Sequence, residues 1–195
     1  MITKGLRKKI RLLINLIYLI IVKIRYRFRK YFFNIEYANK LFLGIDRSAV
    51  IPLIRFCGGK VGKNCSIESP IYFHLAVKDL SNLNIGDNTC ISKGCFFDLA
   101  EKINIGSNCT LGMEVMITTH THFGKINFKN LYSNNSAPVT IKSNSYIGAR
   151  TIILNGIVIE GISLIAAGSL INKNIPERSL IAGVPGKVIR KLEMD

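Results

Sequence analysis

Two of the chain's three histidines stand two residues apart in "ITTHTHFGK", residues 117–125. An extended backbone turns residues i and i+2 to the same face, so a strand here would point His120 and His122 the same way. Imidazole changes charge near neutral pH and is suited to accept a proton from a weakly nucleophilic hydroxyl. The same pair could ligate a metal or be two surface imidazoles. Zinc needs further ligands at short spacing. The five cysteines, at 57, 65, 90, 95 and 109, form no C-x-x-C pair, and no third ligand stands near the histidines, so no metal is expected. Asp98, in "CFFDLAEKINIG", could orient an imidazole, contact an acceptor hydroxyl or simply occupy a corner. His74 lies in an irregular stretch and is expected to be structural.

Such residues need a rigid frame, and the sequence supplies a repeat. Written in sixes from Ile141, the chain reads IKSNSY, IGARTI, ILNGIV, IEGISL, IAAGSL, INKNIP, with Ile opening all six blocks. The register extends upstream through IGSNCT, LGMEVM, ITTHTH, and a set shifted by two residues includes IGDNTC, ISKGCF from residue 85. Gly is frequent at the second position, where it would relieve a corner. Small residues recur at the fifth, including Cys65, Cys95 and Cys109. One large aliphatic and one small residue per six suit short strands joined by tight corners, stacked so that parallel neighbours satisfy the backbone. Between 117 and 141 the phase is kept, yet blocks at 123, 129 and 135 open with Phe, Lys and Asn. Residues 123–138 are therefore expected to leave the coil as a loop directly after the histidines.

Together with the tail "AGSLINKNIPERSLIAGVPGKVIR", these blocks resemble the hexapeptide-repeat acyltransferases over residues 57–193, and most nearly their sugar O-acetyltransferase branch. The resemblance implies an all-β fold, a left-handed parallel β-helix over 41–185 with a short C-terminal helix at 186–195. It also implies a homotrimer that binds acetyl-coenzyme A between subunits and transfers the acetyl group to a sugar hydroxyl of a cell-surface glycan precursor. The family's catalytic His ends the third hexapeptide of a coil, which here is His122. His120 would support it or contact the acceptor. Ala149 would offer its N–H to the oxyanion, Ala167 would line the pantetheine path, and Asn172 and Lys173 replace the family's usual Thr-Lys. Lys187 and Arg190 would meet the coenzyme's phosphates, unless they are only a solvated helix face. Tyr146 stands where galactoside-type enzymes carry a Trp that shapes the acceptor site. An amino-sugar N-acetyltransferase and a non-enzymatic, membrane-tethered scaffold are the competing readings.

The net charge of +15 is unevenly spread: residues 1–40 hold eleven of the 27 Lys/Arg and one of the 12 acids. Within them, Leu12–Val22 is an apolar run interrupted by Asn15 and flanked by basic clusters, shorter than the roughly 20 residues a bilayer core requires. With its interleaved aromatics, this amphipathic helical segment is expected to lie in the plane of an anionic membrane through residues 1–33. Its Leu and Ile density argues against nucleic acid, and the basic stretch after the apolar run argues against a cleaved signal peptide. The odd cysteine count fits a reduced, cytoplasmic protein, peripheral on the inner membrane face.

Overall fold

A computed structural model describes residues 4–122 and 134–193. It is a parallel β-helix of about six turns, preceded by helices. Three helices lead the chain: α1 (Lys4–Phe32), α2 (Ile35–Asn39) and α3 (Arg47–Phe56), with a 3₁₀ turn at Lys40–Leu43. Asn34 caps α2 by accepting the Tyr37 N–H at 2.7 Å, and Asp46 caps α3 by accepting that of Ser48 at 2.9 Å. The coils begin at Lys60. Residues 35–56 thus form a helical plug, and 41–56 are not part of the β-helix: Phe42, Leu53 and Ile54 are fully buried against the first coil, with the Phe42 ring 4.8 Å from that of Phe73.

Each coil contributes a short strand to each of three parallel faces. The first face starts with Lys60–Val61, the second with Ser66–Ile67 and the third with Tyr72–His74. The isoleucines that open the hexapeptides form the inner columns: Ile141, Ile147, Ile153, Ile159, Ile165 and Ile171 are all at most 1% exposed. Burying one such side chain contributes about 1.5–3 kcal/mol. The small fifth-position residues sit inside the corners. Thr151, Ser163 and Ser169 donate their hydroxyls to carbonyls at 2.7–2.8 Å, and the Cys65 thiol donates to the Gly86 carbonyl at 3.0 Å. Burial pushes the Cys95 thiol up to about 11, so it stays protonated.

The corner glycines act differently from the sequence expectation. Left-handed backbone falls instead at the fourth position of the hexapeptide, at Asn64, Asn88, Asn108 and Asn144, with φ between 54° and 62°, and at Gly94, Gly156 and Gly168. Asparagine tolerates this region. Their amides also form a ladder, Asn64 to Asn88 to Asn108 to Asn144, at 3.1–3.2 Å. The glycine itself is needed for close approach: a Cβ on Gly148 would lie 2.4 Å from the Ala167 nitrogen of the next coil.

The C-terminal segment is not the expected helix. Lys187–Lys191 is a strand, folded back antiparallel onto Ser179–Ala182. A turn at Gly183, with φ 102°, reverses the chain where the last coil leaves an unpaired edge, and backbone pairing covers that edge.

Helix α1 runs 29 residues and packs on the plug only through its C-terminal half. Val22 and Tyr26 are buried, the Tyr26 hydroxyl donates to Asn39 Oδ1 at 3.1 Å, and Tyr18 accepts the Asp46 N–H at 3.1 Å. At 3.6 residues per turn the opposite side carries Leu6, Ile10, Leu13, Ile17, Ile24 and Phe28, all 42–61% exposed. Among the described residues, no helix is long and apolar enough to cross a membrane.

Candidate active site

The third strand of the third coil, Met116–Ile117, ends with Ile117 fully buried. The chain then leaves the coil at the edge between the third and first faces. His120–Thr121 pairs antiparallel with Asn135–Ser136, so the departing and returning strands meet. Residues 123–133 of the expected loop lie outside the described residues.

Asp98 ends the third-face strand of the coil below and is the anchor of the departure. Its side chain is 1% exposed and saturated with donors. Oδ2 accepts the Thr119 N–H at 2.7 Å, the His120 N–H at 3.0 Å and His120 Nδ1 at 2.5 Å, while Oδ1 accepts the Ala100 N–H at 3.2 Å. Burial alone would raise the carboxyl, but the hydrogen bonds from His120, Thr119 and Ala100 outweigh it and hold Asp98 below the ordinary carboxylate range. The fully buried Thr119 completes the staple. Its hydroxyl donates to the Asp98 carbonyl at 2.9 Å and accepts the Glu101 N–H at 3.0 Å.

This staple fixes the His120 ring with Nδ1 bound and leaves it 28% exposed at a cleft of about 570 Å³. Walls of the cleft come from His74, Leu75, Ala100, His120, His122 and Ser136. His122 is exposed and has no hydrogen-bonded partner among the described residues. The rings of His74 and His120 are 6.2 Å apart, so His74 belongs to the cleft instead of being merely structural. The signal for it was present: residues 74 and 98 are 24 apart, two coils share that phase, and the strands pair His74 with Asp98. A second cleft, of about 620 Å³, is lined by Asn104, Thr140 and Glu160 on the first face and contains no histidine.

The remaining expected site residues lie elsewhere on the prism. Ala149 and Ala167 stack in successive coils at the corner between the second and third faces, where the Cβ-less Gly112 and Gly148 admit them. The Ala149 N–H donates to no described residue. Tyr146 points outward from the second face and is 48% exposed. Asn172 and Lys173 follow the strand Leu170–Ile171, on the histidines' edge but two coils on. Lys187 and Arg190 are exposed on the final strand, so they belong to no helix face. None of these seven lines the histidine cleft.

The chain is thus a parallel β-helix of hexapeptide coils that carries a carboxylate-anchored His120, with His122 on the same cleft, at one edge. No protein-family model matches the chain. It is 31% identical over 140 residues to the galactoside O-acetyltransferase of Escherichia coli, covering 72% of this chain and 67% of that one. The crystal structure of a maltose O-acetyltransferase from Clostridium difficile matches with a TM-score of 0.70 and 31% identity, over 80% of this chain and 83% of the other. A galactoside acetyltransferase in complex with coenzyme A matches with a TM-score of 0.69 and 27% identity, over 90% and 82%. The chain belongs to the hexapeptide-repeat acetyltransferase family.

Replacing Asp98 by Asn would keep the shape but strand several donors, at a cost of about 1–3 kcal/mol. Because the native carboxyl is depressed, its contribution is fully present above the ordinary Asp value of about 3.9 and is lost as pH falls through the native value. Denaturant melts of intact and Asp98→Asn protein are expected to differ by a constant amount from pH 7 to about 4 and to converge below it. A gap that instead widens in acid would contradict the assignment.

Proposed function

We propose that the protein transfers an acetyl group from acetyl-coenzyme A to a sugar hydroxyl of a cell-surface glycan precursor. The observation that carries this reading is the histidine pair beside the buried Asp98, at the mouth of a cleft in an acetyltransferase fold. His122 takes the proton from the acceptor hydroxyl as its oxygen attacks the thioester carbonyl. The Ala149 N–H, unengaged by any described residue, stabilises the oxyanion. Collapse expels the coenzyme's sulfur, which takes the proton back from the imidazolium. His120 is a positioning residue: its ring and backbone are bound to Asp98, which aims the segment leading to His122 at the acceptor.

The separation of Ala149 and Ala167 from the histidines supports a site shared between copies in a homotrimer, the donor lying in the cleft between neighbours. Small side chains at that corner leave room for a pantetheine arm, and Lys173, Lys187 and Arg190 offer positive charge for phosphates.

A second reading has its own observation. The 2.5 Å bond from Asp98 to His120 Nδ1 is the arrangement that orients a general base, and it would make His120 the base itself. Steady-state transfer of labelled acetyl groups to galactosides and maltosides separates the two. His122→Ala is expected to lose about 10²–10⁴ in kcat. His120→Ala should lose less, through misalignment. The reverse order would assign the base to His120, and full activity in both variants would remove the histidine mechanism.

Helix α1, which bears this exposed apolar stripe, also carries Arg7, Lys8, Lys9, Arg11, Lys23 and Arg27, the last two lying over the Phe56 ring. That arrangement supports in-plane binding to an anionic surface, the inner face of the cytoplasmic membrane. Flotation with liposomes checks it: Ile17→Glu/Ile24→Glu protein should remain at the bottom of the gradient while intact protein rises with anionic but not neutral vesicles. Equal flotation of both proteins would exclude this helix as the anchor.

A further inference from the structure

We propose that the groove between α2 and the outer side of the third face is a second saccharide subsite. The acceptor is then an oligosaccharide, acetylated on one sugar while its neighbour sits in this groove. The inference rests on reading the histidine cleft as the acceptor site, and it adds the size of the acceptor.

The groove encloses about 230 Å³, of the order of a single sugar residue, and its walls include Asn39, Lys40, Leu43, Tyr72, His74 and Phe96. His74 is common to the walls of the groove and of the histidine cleft, so the two adjoin. The aromatic rings form a row leading to the histidine site. Tyr72 stacks over Phe96 with centroids 6.5 Å apart and planes at 29°, His74 lies 5.9 Å from Phe96, and His120 lies 6.2 Å from His74. The row follows from coil pairing, which sets Tyr72 against Phe96 on adjacent third-face strands. Outward aromatic faces suit the apolar C–H faces of a pyranose ring, provided polar groups at the margin meet its hydroxyls.

Such groups are present. Lys40 is exposed at the rim, with Nζ 5.4 Å from the Tyr37 ring centre. Asn39 is 3% exposed and lines the inner wall, and its Nδ2 is the one buried side-chain polar atom without a partner among the described residues. A buried donor left unpaired costs free energy. On this proposal a hydroxyl bound against the Asn39 wall supplies the missing acceptor. Glu36 is already engaged, accepting the Leu75 N–H at 2.7 Å, and it ties α2 to the cleft wall. The helical plug therefore supplies one side of the subsite, which gives this appendage a role in recognition beyond closing the coil.

The probes are gluco-, galacto- and manno-configured monosaccharides and their disaccharides, assayed with labelled acetyl-coenzyme A. The intact protein should show a KM roughly tenfold lower for one disaccharide than for its monosaccharide. Tyr72→Ala and Lys40→Ala should abolish that advantage and leave kcat on the monosaccharide unchanged. Equal KM values for mono- and disaccharides, or an equal loss on both in the variants, would overturn the proposal. If no sugar is acetylated, the acceptor reading fails, and saturation-transfer NMR without coenzyme decides the groove separately. Saturation reaching both rings of a disaccharide, and lost from one ring in Tyr72→Ala, supports the subsite, whereas none in the intact protein contradicts it. A change in oligomeric mass on Tyr72→Ala would show that another copy covers the groove, and would also overturn it.

Discussion

Everything in this molecule depends on how closely one coil can approach the next. Gly112 and Gly148 bring the backbone of one coil against Ala149 and Ala167 of the following one, closer than any side chain would allow. Parallel hydrogen bonds then run unbroken along each face, and the isoleucine columns become continuous. The result is a stiff prism on which a residue's place within its coil decides which edge it occupies. Rigid elements hold functional groups more closely than free loops can, and His120 is stapled to such an edge at the point where the chain departs from it.

The same constraint explains why Asp98 is buried. It occupies the position in its strand that lies beneath the departure, and an outgoing chain leaves backbone N–H groups without the next rung of the ladder. One carboxylate accepts two of them, at Thr119 and His120, and also the His120 ring. A single group therefore ends the regular coil, directs the exit and fixes an imidazole. Prism geometry also separates the histidines from the second corner, where Ala149 and Ala167 stack. Chemistry that needs both has to bring two edges together, and packing of copies side by side is the direct way to do so.

Much of this was legible in the sequence because a β-helix is a repeat. Ile at six-residue intervals fixed the inward columns, and the blocks at 123, 129 and 135, which keep the phase but open with Phe, Lys and Asn, marked where the coil is left. Pairing of Asp98 with an imidazole was foreseeable, but which imidazole was not, since a two-residue difference along a departing strand has no signature in a six-residue period. His74 was missed because its coil was judged irregular, although the 24-residue offset to Asp98 held the register. The C-terminal strand was hidden by its exposure: Lys187–Lys191 shows no buried alternation, and only the unpaired edge of the last coil draws it into the sheet. The helical plug was likewise obscured, because its core residues Phe42, Leu53 and Ile54 read equally as further strand.

In the proposed reaction the histidine edge of one copy works with the Ala149 corner of another. Subunit mixing tests it most directly. His122→Ala protein and a variant obstructed at the corner, Ala149→Trp, would be purified as inactive preparations, then denatured together and refolded as mixed assemblies. A shared site predicts that acetyl transfer reappears in the mixture, because a mixed assembly contains an interface with an intact histidine edge facing an intact corner. A mixture as inactive as its two components, although mass analysis shows that mixed assemblies have formed, would contradict the account.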